Sequence, residues 1–174
     1  VQKIGFPRGI RLNKLKHLPD GVAEILSKTD DVVSLNGLAD ISETAAQHLG
    51  KLKKGLLLTG LKTLSETNAK YLSGIKGELN IGYDIDAISD EVAEYLGQHE
   101  GTLIFSVRAL SDTAAKYLAK NKGDLLLREV ESISDLAAKY LSEHEGKLDL
   151  RGITTLSDQA AEYLSQHGDY VEFY

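Results

Sequence analysis

The stretch "SDLAAKYLSEHEGKLDL" at residues 134–150 returns 23 residues later, at 157–173, as "SDQAAEYLSQHGDYVEF". An aliphatic residue followed by serine marks the same beat along the chain at Ile41-Ser42, Leu64-Ser65, Ile88-Ser89, Leu110-Ser111, Ile133-Ser134 and Leu156-Ser157, with Leu18-Pro19 as a variant first member. The intervals are 23, 23, 24, 22, 23 and 23 residues. A period of this length is the signature of a stacked repeat architecture, so it governs every later reading.

Each unit has two halves with different hydrophobic periods. Ahead of the serine lies an alternating stretch: Val33-Ser34-Leu35, Leu56-Leu57-Leu58, Leu79-Asn80-Ile81, Leu103-Ile104-Phe105, Leu125-Leu126-Leu127 and Leu148-Asp149-Leu150, with Ile10-Arg11-Leu12 and Val171-Glu172-Phe173 at the two ends. A period of two predicts eight short strands with one buried side. After the serine, apolar residues fall at +3, +4 and +7, as at Ala137, Ala138 and Leu141, which predicts a helix of about 10 residues. The serine is the expected N-cap, and the next residue is always acidic: Glu43, Glu66, Asp90, Asp112, Asp135 and Asp158. A carboxylate there also favours the positive end of the helix dipole. The preceding Ile or Leu is placed to staple onto the +4 residue. Gly101, Gly123 and Gly146 follow the helices, where a left-handed stop is expected.

Strand, turn, helix and return, repeated seven times, predicts an α/β solenoid with a parallel sheet and every helix on one side. Strands sit about 4.8 Å apart and packed helices 8–10 Å, so the stack should bend with strands on the concave face and short helices on the convex face. Alanine at +3 and +4 lets helix and sheet approach closely. Residues 1–9 are expected to be a cap or remnant ahead of a single repeat domain over 10–174.

Through its Leu-x-Leu strand, short helix and period, the chain resembles the leucine-rich-repeat class over residues 10–174. It is similar in particular to a short "LxLxGLxxLSDxAAxYL" repeat of uncharacterised bacterial proteins. The resemblance implies a solenoid and protein binding. It departs from the class after the strand, where the usual backbone-binding Asn is replaced by Gly37-Leu38, Gly60-Leu61 and Gly152-Ile153.

Composition narrows the functional classes. The chain has 174 residues, 42% hydrophobic, enough for one well-buried domain, and no apolar run approaches the roughly 18 residues of a membrane span. Cysteine is absent, which excludes disulfides, thiolate metal sites and cysteine nucleophiles. Methionine is also absent, so a processed product or an excised piece of a longer chain is expected. Residues 1–80 carry 12 Lys/Arg against 8 Asp/Glu, and residues 81–174 carry 8 against 18, giving a basic end and an acidic end. Nucleic acid and membrane insertion are not expected. No compartment is specified, with an extracellular or cell-surface setting favoured.

The residues with potential chemistry have structural readings. His99, His144 and His167 stand at +10 in their units, with Asn121 in the slot between. A metal ion needs every ligand within about 2 Å, and His99 and His144 are two repeats apart, so imidazoles settled at helix C-termini are expected instead. Tyr95, Tyr117, Tyr140 and Tyr163, at +6, form a row expected to seal the side of the core. Asp84, Asp86 and Asp90 cluster in a unit with an extra residue but lack the glycine and bidentate glutamate of a calcium loop, which leaves a solvated bulge. "KLKKG" at 51–55 reads as a solvated turn. The serines are accounted for as caps, so neither catalysis, a cofactor nor a small-molecule ligand is expected.

Binding falls to the outward strand positions, which form two rows. One is Arg11, Ser34, Leu57, Asn80, Ile104, Leu126, Asp149 and Glu172; the other is Asn13, Asn36, Thr59, Gly82, Ser106, Arg128, Arg151 and Tyr174. Leu57, Ile104 and Leu126 read as exposed aliphatics, with Asn80 in their row and Arg128, Asp149 and Arg151 as a polar rim, so a protein partner on the concave face is expected. An alternative is self-assembly into a filament or array, head to tail, through the terminal strands. Arg11 and Asn13 would then meet Glu172 and Tyr174, with residues 1–29 at +4 facing 158–174 at -4.

Overall fold

The computed structural model describes residues 9–168 and 170–172, with the backbone alone at Tyr83 and Asp84. Strands and helices alternate throughout: β1 Gly9–Arg11, α1 Asp20–Leu26, β2 Val32–Ser34, α2 Glu43–Leu49, β3 Gly55–Leu58, α3 Glu66–Leu72, β4 Glu78–Ile85, α4 Asp90–Leu96, β5 Leu103–Val107, α5 Asp112–Leu118, β6 Leu125–Leu126, α6 Asp135–Ser142, β7 Leu148–Asp149, α7 Asp158–Leu164 and β8 Val171–Glu172. All strands are parallel and lie in sequence order in one open sheet. Each helix packs on the helix before and after it. The chain is a curved solenoid of tandem strand-helix repeats. The expected strand over 10–12 begins at Gly9, while Phe173, Tyr174 and the first eight residues of the expected cap lie outside the described residues.

The alternating residues build the core in continuous rows. Val33, Leu56, Leu79, Leu103, Leu125 and Leu148 are in register from strand to strand and fully buried. A second row, Leu35, Leu58, Ile81, Phe105, Leu127 and Leu150, is buried beside it. The helices close over these rows with small residues: Ala45, Ala46, Ala114, Ala115, Ala137 and Ala138 are all fully buried. Tyr71, Tyr95, Tyr117 and Tyr163 lie half-buried against this core, and Tyr140 lies under the Lys116 ammonium.

The caps form as expected. Ser42, Ser65, Ser89, Ser111, Ser134 and Ser157 each accept from the backbone N–H three residues on. The cap hydroxyl does a second job that the local pattern does not reveal. Ser111 Oγ donates to Asp90 Oδ1 of the preceding repeat at 2.6 Å, and Ser42, Ser134 and Ser157 do the same to Asp20, Asp112 and Asp135. The acidic residue thus serves its own helix dipole and receives the next repeat's cap. All four acceptors are aspartates; among the described residues, Glu43 and Glu66 do not form this bond.

Two local expectations are corrected. The helices have seven or eight residues, because the chain closes each one with i→i+3 bonds, such as Gln98 N–H to Tyr95 O at 3.1 Å and His99 N–H to Leu96 O at 3.0 Å. Gly101, Gly123 and Gly146 are not left-handed stops. Every C-cap residue is right-handed, and among the described residues only Gly55 and Gly82 have positive φ. These glycines are required because successive turns stack backbone on backbone. A Cβ at Gly101 would strike the carbonyl of Gly77, one at Gly123 the carbonyl of Gly101, and one at Gly146 would stand 2.5 Å from the oxygen of Gly123. Gly37, Gly60 and Gly152 sit just as tightly on the preceding repeat, over Asn13 O, Asn36 O and Arg128 O.

The extra residue is absorbed in β4. Its register against β5 shifts between Ile81 and Ile85, and Gly82 takes φ +49° there. Asp90 of the carboxylate cluster is engaged by Ser111, and the Asp84 side chain lies outside the described residues.

Candidate binding face

The inner row predicted from the alternation is observed without a break. Arg11 pairs with Ser34, Ser34 with Leu57, Leu57 with Asn80, Asn80 with Ile104, Ile104 with Leu126, Leu126 with Asp149 and Asp149 with Glu172. Alternation also puts the strand-start residues on this face, a row the sequence reading passed over: Gly9, Val32, Gly55, Glu78, Thr102, Asp124, Lys147 and Tyr170. The aliphatic members are less open than expected. Leu57 is half-buried, Ile104 is 9% exposed and Leu126 7% exposed. On an inner face, neighbours about 4.8 Å apart shield one another. The face is therefore a tight floor, not a protruding apolar patch.

At the basic end, the floor opens into a cavity of about 460 Å³ lined by Arg11, Asn13, Ser34, Asn36, Leu57 and Glu78, among others. Its asparagines are fixed by the neighbouring repeat: Asn13 Oδ1 accepts from Ser34 Oγ at 2.6 Å and from Asn36 N–H at 3.3 Å, and Asn36 Oδ1 accepts from Thr59 N–H at 3.3 Å. Each of these asparagines thus binds a backbone N–H of the next repeat. They stand two residues past the last residue of β1 and of β2.

At the acidic end, the polar residues expected as a rim form one ion cluster. Asp149 is wholly buried. Arg151 Nε donates to its Oδ1 at 2.9 Å and Arg151 Nη2 to Oδ2 at 2.8 Å, while Arg128 Nε donates to Oδ2 at 2.8 Å. Burial by itself would raise the Asp149 pKa; the Arg151 and Arg128 bonds outweigh it and hold the carboxyl below its ordinary value. Lys147 Nζ lies 2.8 Å from Glu172, whose hydrogen bond raises the Lys147 pKa. Of the residues expected at an end-to-end contact, Glu172 is thus engaged within its own chain, Asn13 is bound to the next repeat, and Tyr174 lies outside the described residues.

His99 and His144 settle against helix C-termini as expected, but inside the core. His99 is fully buried and His144 2% exposed, and their Nδ1 atoms lie 3.2 Å from the C-cap carbonyls of the helices before them, Ser73 O and Ala119 O. Burial lowers both pKa values, so these are neutral packing groups and not cations on a helix dipole. Asn121 also bonds one repeat back, but past the C-cap: its Nδ2–H donates to His99 O at 2.6 Å and to Gly101 O at 3.2 Å. Leu52 and Ile75 fill the same slot in earlier repeats, buried to 1% and 0% exposure, and this was the signal in the sequence that the slot is interior.

Among the described residues, no three His, Asp or Glu side chains converge as metal ligands do, and no helix is long and apolar enough to cross a membrane. No protein-family model matches the chain, and a search of curated proteins finds no match to it.

Proposed function

We propose that this chain is a non-enzymatic repeat scaffold that binds another protein through the inner face of its sheet. The observation that carries the reading is a contrast between two sides of the same strands. The buried side repeats Leu, Ile and Val from unit to unit, whereas the inner side changes at each step through Arg11, Ser34, Leu57, Asn80, Ile104, Leu126, Asp149 and Glu172. A face held rigidly in register, yet free of the repeat's packing rule, suits recognition of an extended segment. Catalysis has no place in the reading, since the conspicuous serines are committed to helix caps and several of them to the aspartate before them as well.

A displayed library of random peptides about 12 residues long tests this, because an extended peptide of that length reaches about 40 Å and spans the sheet. Peptides selected on the wild-type chain are expected to lose affinity about tenfold or more on Leu57→Glu and to ignore Leu136→Glu, whose residue is 43% exposed on α6. Binders indifferent to Leu57→Glu would overturn the reading. Leu126→Glu is a poorer choice, because a residue only 7% exposed confounds binding with folding.

A further inference from the structure

Resting on that reading of the inner face, we infer that the bound segment carries an Asp or Glu side chain that docks on the free terminal edge of Arg128, while a main-chain N–H of the same segment meets Asn80. Arg128 is tethered through one atom only. Its Nε donates to Asp149 Oδ2 at 2.8 Å, and among the described residues its two terminal nitrogens have no partner; the side chain is 37% exposed. Asp149 cannot offer more, because Arg151 holds both of its oxygens. One buried carboxylate thus serves two guanidiniums. Glu172 does not make up the difference, since Lys147 holds it at 2.8 Å and it stands 3.9 Å from Arg151. Among the described residues, the cluster brings together three cations, Arg128, Lys147 and Arg151, and two anions, Asp149 and Glu172, within a stretch of chain that is otherwise strongly acidic. A guanidinium fixed at its Nε edge presents a planar fork at the other, and that fork matches a carboxylate.

A second, independent observation points to the same occupant. Asn80 is 7% exposed, and its Oδ1 is buried without a donor. A buried acceptor left unpaired is expensive, and a turn of the Asn80 amide toward the face would let it accept from a backbone N–H of a segment lying across the floor. Between Asn80 and Arg128 the floor is Ile104 and Leu126, with Ser106 beside them. The two ends are two strands and two residues apart, which is about 12 Å, or three to four residues of extended chain. The acid should therefore stand three or four positions from the residue whose N–H meets Asn80.

The peptides selected above supply the probe. Synthetic versions are expected to share an Asp or Glu at one fixed place. Replacing it by the amide should weaken binding about 10- to 100-fold, Arg128→Gln should do the same, and the two together should weaken it no further. The peptide-side change reads the contact on an unaltered protein, so the result stands even if Arg128→Gln perturbs Asp149. Asn80→Leu is expected to raise the melting temperature and to weaken the same peptides. Peptides that lose affinity on Leu57→Glu, yet lack a fixed acid or ignore both charge removals, overturn this inference and leave the inner face as the binding site. Peptides indifferent to Leu57→Glu overturn both.

Discussion

Gly123→Ala is expected to destabilise the fold by about 3 kcal/mol or more, while Gly21→Ala stabilises it by roughly 0.5–1 kcal/mol. The chemical change is the same and the sign is opposite. A Cβ at Gly123 would fall on the Gly101 carbonyl and 2.8 Å from the Thr102 nitrogen, so the atoms that must yield are the backbone of the previous turn and not a movable side chain. Relief requires prying two repeats apart where β5 and β6 pair. At Gly21, in the first turn of α1, an added Cβ meets nothing within 4 Å, and alanine restricts the unfolded chain and favours the helix. For a chain of this size, about 2–4 °C accompanies each kcal/mol. Thermal unfolding followed by far-ultraviolet circular dichroism should show Gly123→Ala lower by roughly 6–12 °C and Gly21→Ala slightly higher. A Gly123→Ala protein melting with the wild type would contradict backbone-on-backbone stacking.

The second large effect is a loss of stability in mild acid. His99 and His144 have pKa values lowered by burial from an unfolded value of 6.5, so the folded state resists a proton that the unfolded state accepts. Around His99 stand the carbonyls of Ser73, Gly77 and Thr102 and the Lys76 ammonium; around His144 stand the Ala119 and Gly123 carbonyls, the His167 ring and the Asp124 carboxylate. The carbonyls and Asp124 favour the charged form, and desolvation outweighs them. The unfolded chain binds more protons below pH 6.5, so stability is fully present above that pH and falls as pH drops through it. The slope from each histidine is at most about 1.4 kcal/mol per pH unit. Melting temperatures measured from pH 7.5 down to about 5 should fall steadily, and the double substitution His99→Leu, His144→Leu should flatten that fall, since Leu52 already fills the slot in an earlier repeat. A wild-type curve already flat over this range would show that the column does not carry the effect.

What the sequence discloses here follows from what hydrophobic period can encode. The strand rows, the capping serines and the side of the sheet on which the helices lie are all written as alternations and offsets, and they are observed at the expected residues from Val33 to Leu150; Leu12, which the alternation puts on the buried side, is 38% exposed past the end of β1. The glycines are different. Gly101, Gly123 and Gly146 lie near helix ends, where a left-handed stop is the local rule, but the contact that requires them is with backbone 22 to 24 residues earlier, which no local pattern expresses. The Asp-to-Ser ladder is hidden for the same reason, since the acid at 112 is explained by its own helix before its bond to Ser134 is seen.

The inner face was legible in outline and not in detail. Its row of residues is correct from Arg11 to Glu172, yet the exposure of Ile104 and Leu126 depends on shielding across strands, and sequence gives membership of a row without its crowding. Arg128, Asp149 and Arg151 were recognisable as charged neighbours. That both guanidiniums fold onto one buried carboxylate, leaving one fork free, depends on side-chain reach. The unpaired Oδ1 of Asn80 leaves no trace in a sequence at all.

The claim beneath all of this is that each repeat leans only on the one before and the one after. Deleting residues 112–134 tests it most directly, because the cut removes one 23-residue unit and joins Ser111 to Asp135, which restores a cap serine and its acid. The shortened chain is predicted to fold, with the same helical signal per residue and a cooperative melt at a somewhat lower temperature, whereas deleting residues 112–123 alone should unfold it. A whole-repeat deletion as disordered as the half-repeat deletion would contradict the solenoid.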